Sequence, residues 1–132
     1  IFHADAKLTG GGADIDLWGG YASQSDGYAA DEDFQALFGG IGAKYDFNDT
    51  FYAAGRFTYV GDQSDVVSDF DNTSLSRIQV GVGIHFYEKA LWKVEFVNQS
   101  ETALNPGNSE GTQLSGIGNN WSGVTTELSF NF

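Results

Sequence analysis

The chain has 132 residues, which is enough for one domain, and it contains no cysteine. Its net charge of −12 argues against a nucleic-acid partner, because phosphates require a basic surface. The lack of cysteine excludes a disulfide framework and a thiolate metal site, and no run of residues has the apolar length of a transmembrane helix.

The first half of the chain alternates apolar residues with other residues, a pattern typical of β-strands with two unlike faces. We predict strands at residues 2–8, 14–22, 35–47 and 51–59. In the first of them Phe2, Ala4, Ala6 and Leu8 form the apolar face, opposite His3, Asp5 and Lys7. The glycines at 10–12 predict a tight turn into the second strand, because no helix follows them as a phosphate-binding loop would require.

The second half continues the pattern, with predicted strands at residues 77–86, 91–99 and 121–132. The alternation is strictest at 77–86, RIQVGVGIHF, where Gly81 and Gly83 lie on the polar face. Glycine weakens a strand and packs against nothing, so it brings no benefit on a water-exposed face. On the inner face of a barrel, by contrast, glycines would leave space in the lumen.

Charged residues occur on only one face of the predicted strands, and none lies on an apolar face. If the polar face lines a lumen, the lining residues are Asp5, Lys7, Asp16, Lys44, Arg56, Arg77, His85, Lys93, Glu95 and Glu127.

Short and long connections also alternate. The short ones lie at 9–13, 48–50 and 87–90, and the long ones at 24–33, 61–74 and 101–120. All short turns therefore lie at one end of the sheet, as in transmembrane β-barrels. The sequence predicts an all-β fold, an antiparallel transmembrane β-barrel closed so that no backbone group is unpaired in lipid.

A water-soluble barrel or sandwich would show the same alternation with its apolar face turned inward. The polar-face glycines favour the membrane alternative, and so do the apolar-face aromatic residues. These gather at the short-turn end, with Tyr21 and Tyr59 near the other end, as in the two aromatic girdles of membrane barrels.

The last eight residues, TTELSFNF, resemble the C-terminal strand of Gram-negative porin-like outer-membrane proteins. The matching positions are Val124, Leu128, Phe130 and Phe132, and Thr126 is the weak one. The resemblance implies a location in the bacterial outer membrane and contact with its lipid and lipopolysaccharide. It also implies that the barrel-assembly machinery reads this strand as a signal.

An odd number of strands conflicts with the even numbers of bacterial single-chain barrels. We therefore expect at least one further strand before Ile1. Residues 1–132 would then be a single β-barrel domain or, as we expect, the C-terminal segment of a larger even-stranded barrel. Association of identical copies stays open.

The function that we predict is passive diffusion of small hydrophilic solutes or ions through a porin-like channel with a mild cation preference. Glu95 and Glu127, on neighbouring strands, are expected to form a negative patch. Arg56 should face Gly40 and Gly42, with no side chain there to fill the space within its reach. The alternative is a structural or surface-interaction barrel whose lumen is filled by side chains.

Catalysis is not expected. His3 and Asp5 share a face, which suits a general base with an orienting acid, but spacing singles out no serine nucleophile. His85 lies beside a short turn, far from His3.

The only candidate for a bound cofactor is Ca²⁺ in one acidic loop. Its oxygen ligands would be Asp62, Asp65, Asp69 and Asp71, although their spacing is not that of an EF-hand. The same carboxylates could instead be solvated or bridged to lipopolysaccharide by divalent ions.

Overall fold

The computed structural model describes residues 1–25, 34–62, 74–86, 90–102 and 120–130. They form one antiparallel sheet of seven strands in sequence order. The strands are β1 (Phe2–Gly10), β2 (Ala13–Gln24), β3 (Phe34–Asp46), β4 (Phe51–Asp62), β5 (Ser74–Phe86), β6 (Ala90–Thr102) and β7 (Asn120–Phe130). The prediction of an all-β, antiparallel fold is confirmed.

The sheet is open. Each strand pairs with its sequence neighbours, and in the described part of the chain β1 and β7 do not pair with each other. The expected closure into a barrel is therefore not found in these residues. Because successive strands alternate in direction, β1 and β7 run the same way and could join only as a parallel pair.

Several strands continue beyond their predicted ends. β4 reaches Asp62, β5 begins at Ser74, and the pairs Gly61↔Ser74 and Ser74↔Thr102 extend the ladder past the alternating apolar residues. These end residues are polar or lack a side chain, so hydropathy gives no strand signal there. Backbone pairing with the neighbouring strand holds them in the sheet.

Two short turns are determined by the conformation and the hydrogen bonds of their own residues. Gly11 and Gly12 connect β1 to β2 with φ of 60° and 81°, which is the left-handed conformation of a two-residue hairpin turn. Between β3 and β4, Asn48 Oδ1 accepts hydrogen bonds from the backbone N–H groups of Thr50, at 2.8 Å, and Phe51, at 2.9 Å. Both short turns lie where the sequence predicted them.

The two faces of the sheet differ in burial. Apolar-face side chains are exposed, for example Ile41 at 46%, Val82 at 55% and Leu128 at 57%. On the polar face Gln99 is fully buried and Glu101 is only 3% exposed. The more enclosed side of this sheet is thus its polar side. Among the described residues there is no helix long and apolar enough to span a membrane.

Candidate functional site on the polar face of the sheet

The polar face contains a cleft of about 340 Å³, formed by strands β2 to β6. Its charged and amide-bearing lining residues are Asp16, Lys44, Arg56, Gln79, Lys93 and Glu95. Five of these were among the predicted lumen residues, so the structure brings half of that set together. The others, Asp5, Lys7, Arg77, His85 and Glu127, have the same strand phase but do not line the cleft.

Three aromatic rings occupy the space above polar-face glycines. The strand register places three pairs directly opposite each other, Trp18↔Gly40, Gly20↔Phe38 and Tyr52↔Gly83. A Cβ added to any of the three glycines would overlap the ring of its partner. At these three positions the glycine has no side chain, and an aromatic ring fills the space that a side chain would take.

Arg56 is held against one of these rings. As expected, it lies opposite Gly42, but the space beside it is not empty, because the Trp18 ring from β2 extends there. The guanidinium carbon of Arg56 is 5.5 Å from the centre of the Trp18 ring, within the range of a cation–π interaction. The expectation of unfilled space was wrong at Gly40, which the Trp18 ring covers, because it considered only the adjacent strand; at Gly42 an added Cβ would make only ordinary contacts.

Most carboxylates on this face have a partner. The ion pairs are Lys93 Nζ–Glu127 Oε2 at 2.6 Å, Lys44 Nζ–Asp46 Oδ1 at 2.8 Å and Lys7 Nζ–Asp14 Oδ2 at 3.5 Å. Glu95 Oε1 accepts a hydrogen bond of 3.0 Å from Gln79 Nε2. The register sets Glu127 opposite Lys93, whereas Glu95 lies opposite Thr125. The negative patch predicted from Glu95 and Glu127 is therefore offset by Lys93.

A second cluster lies toward the long-loop end of the face. Arg77 donates from Nε, at 2.8 Å, and from Nη2 to Oε1 of the buried Gln99. Gln99 lies opposite Trp121, and both Gln99 Nε2 and Trp121 Nε1 are buried with no hydrogen-bond partner among the described residues. Sequence reasoning missed this cluster, since neither Gln99 nor Trp121 is charged. Two of the three guanidinium nitrogens of Arg77 thus bind a neighbour on β6.

The histidines lie on different strands. His3 Nδ1 is 3.9 Å from Asp5 Oδ1, and its ring stacks on Phe38 with centroids 6.0 Å apart. The His85 ring lies 5.7 Å from the Tyr52 ring. Both histidines thus contact aromatic residues of the polar face. That the protein is not an enzyme stays a prediction.

Most of the proposed calcium ligands lie outside the described residues, namely Asp65, Asp69 and Asp71. Asp62 is the last residue of β4. Elsewhere in the described ranges, no three acidic or histidine side chains are grouped to hold a metal ion.

The residues that resemble an assembly signal lie mostly on β7. Val124, Leu128 and Phe130 are exposed on the apolar face, and Phe132 lies outside the described residues. Their role as a signal stays a prediction.

In comparisons with protein-family models, curated proteins and solved structures, no match was found, so the function proposed below is inferred from the residues and their geometry alone.

Proposed function

We propose that this chain forms part of an outer-membrane, porin-like channel for passive diffusion of small hydrophilic solutes, with a mild preference for cations. The observation that carries the proposal is the contrast between the faces. Large apolar side chains are exposed across the whole sheet, while charged and amide side chains line a cleft on the other face. Monomeric soluble proteins rarely expose an apolar surface of this extent, because water disfavours it.

Lipid would cover such a surface. Membrane barrels point apolar side chains outward and polar ones into the lumen, and a strand of about 9–11 residues crosses the bilayer. The strands found here, at 9–13 residues, are long enough for that. The edges of β1 and β7 that are unpaired among the described residues would need further strands in lipid, where each unpaired backbone group is costly. This is the physical basis for placing the seven strands in a larger barrel.

The cation-over-anion selectivity of the channel tests whether the polar-face charges line its conducting path. The overall charge of −12 favours cations, while Arg56 opposes them from within the cleft. In planar bilayers, the reversal potential under a salt gradient should show higher cation-over-anion permeability for Arg56→Glu and a smaller rise for Arg56→Gln. The Glu95→Gln/Glu127→Gln variant should lower that permeability ratio, because removal of Glu127 also leaves Lys93 without its ion pair.

The two ways in which this experiment can fail have different meanings. Absence of any conductance would reject the channel. A conducting protein whose selectivity ignores Arg56, Glu95 and Glu127 would reject the assignment of these residues to the conducting path, and the channel itself would stand.

The alternative, a structural or surface-interaction barrel, is favoured by one observation. The rings of Trp18, Phe38 and Tyr52 fill space on the polar face, as side chains do in barrels with no open path. The same conductance measurement separates the two functions. Strand number separates them as well, because about 12 or more strands leave an aqueous pore and eight do not.

Orientation in the membrane gives a further prediction. Single cysteines at Asp31, Ser68 and Gly107, in the long connections, should react on whole cells with a thiol reagent that does not cross the membrane. A cysteine at Asp49, in the exposed β3–β4 turn, should react only after the cells are broken open. Residues 1–132 contain no cysteine, so within them the labels report only the introduced sites. Labelling of the Asp49 variant on intact cells would contradict the orientation.

A further inference from the structure

Two opposite charges flank one glycine in the cleft. Gly42 on β3 pairs with Asp16 on β2 and with Arg56 on β4, so the three residues form one row across three strands. Neighbouring strands lie about 4.8 Å apart, which places the Cα atoms of Asp16 and Arg56 about 10 Å from each other. Both side chains belong to the cleft lining.

Among the described residues, the Asp16 carboxylate and the Arg56 guanidinium make no hydrogen bond or ion pair. Lys7 lies opposite Asp16 on β1, but it pairs with Asp14. The other charged lining residues, Lys44, Lys93 and Glu95, are all engaged in ion pairs or a hydrogen bond. The Arg56 guanidinium lies instead over the Trp18 ring, with its carbon 5.5 Å from the ring centre.

The space between the two charges is not filled. A Cβ built on Gly42 would meet Trp18 at 3.7 Å, and Arg56 Nε and Asp16 Cβ both at 3.9 Å, which are ordinary van der Waals distances. At Gly40 and Gly20, by contrast, an added Cβ would overlap a ring and a backbone oxygen. The row at Gly42 thus borders the cleft, with a charge of each sign on its two sides and no ion-pair partner for either charge among the described residues.

We propose that this row is a binding site for small zwitterionic solutes, which carry a carboxylate and an ammonium group, as free amino acids do. Arg56 donates hydrogen bonds to the carboxylate, Asp16 accepts them from the ammonium group, and Trp18 holds the guanidinium in place. A simple anion would meet the uncompensated Asp16, and a simple cation would meet Arg56. Only a solute with both charges pairs with both residues. The site rests on the proposed channel and deepens it by naming a class of solute.

Glycine and glycolamide are suitable probes, because they are isomers of the same size and only glycine is a zwitterion. Liposomes containing the purified full-length protein should swell faster in glycine than in glycolamide by about two- to five-fold, the strength expected of exposed ion pairs. Arg56→Gln and Asp16→Asn should each bring the ratio of the two rates close to one. Gly42→Ala should reduce it as well, since its methyl group enters the space between the charges.

Asp49→Asn is the control. Asp49 lies in the exposed β3–β4 turn and does not line the cleft. The variant changes the charge equally and should leave the ratio unchanged. Asp14 is unsuitable, because its loss would release Lys7, which lies opposite Asp16. Equal swelling rates in the unmodified protein would overturn the site and leave the channel standing, and so would a preference that survives both Arg56→Gln and Asp16→Asn. A lack of swelling in either solute would overturn the channel and the site together.

Discussion

Replacement of Ile41 by lysine is expected to lower the free energy of unfolding by about 2–4 kcal/mol, the cost of a lysine facing lipid near the middle of a barrel wall. Ile41 lies on the apolar face, 46% exposed, in the middle of β3. Val82→Lys on β5 should cost a similar amount for the same reason. The measurement is reversible unfolding by guanidinium chloride in lipid vesicles, followed by tryptophan fluorescence.

Gly42→Lys is the matched control, because Gly42 is the next residue on the same strand and lies on the polar face. The structure makes it a better choice than Gly81, where an added Cβ would lie 2.9 Å from the carbonyl oxygen of Val94. The lysine at Gly42 would extend into the cleft and should cost clearly less than the one at Ile41. Equal costs at the two positions would contradict the assignment of lipid to the Ile41 face.

Replacement of Gly40 by alanine should have the second-largest effect, a loss of about 1–3 kcal/mol in unfolding free energy from overpacking. The new methyl group would overlap both the Trp18 ring and the backbone oxygen of Phe57. The ring can turn, but the oxygen belongs to the β4 backbone and cannot move without disturbing the sheet.

Two further glycines make a graded comparison in the same unfolding assay. At Gly83 the three atoms nearest to the methyl group all belong to the outer part of the Tyr52 side chain, which can turn, so Gly83→Ala should cost less than Gly40→Ala. At Gly42 it would make only ordinary contacts, so Gly42→Ala should be nearly neutral. If all three variants lost the same stability, the cause would be a general cost of replacing glycine in a strand. Overlap with the aromatic rings would then not explain the losses.

The sequence alone was sufficient for the strands, their two faces and the short turns. Alternation is a local property, since successive side chains of an extended chain point to opposite sides whatever strand lies beside them. Residues 77–86 therefore reveal an apolar and a polar face without knowledge of β4 or β6. Gly11 and Gly12 likewise define their turn by their own conformational freedom.

Pairing across a short turn could also be predicted, because few residues separate the strands and counting from the turn fixes the register. Arg56 was expected to face Gly42, and the β3–β4 register places it there. The position of polar residues such as Ser74 in the sheet could not be predicted in this way, because neighbouring strands and not hydropathy hold them.

Only the tertiary structure decided the contacts between strands joined by long connections. The position of Trp18 opposite Gly40, and that of Lys93 opposite Glu127, depend on the registers of β2 with β3 and of β6 with β7. A long connection does not restrict the register, and a shift of two residues keeps every side chain on its own face while it changes every partner. For this reason the sequence identified the charges of the polar face, whereas the structure showed that Glu127 pairs with Lys93 and that Asp16 and Arg56 have no ion-pair partner among the described residues.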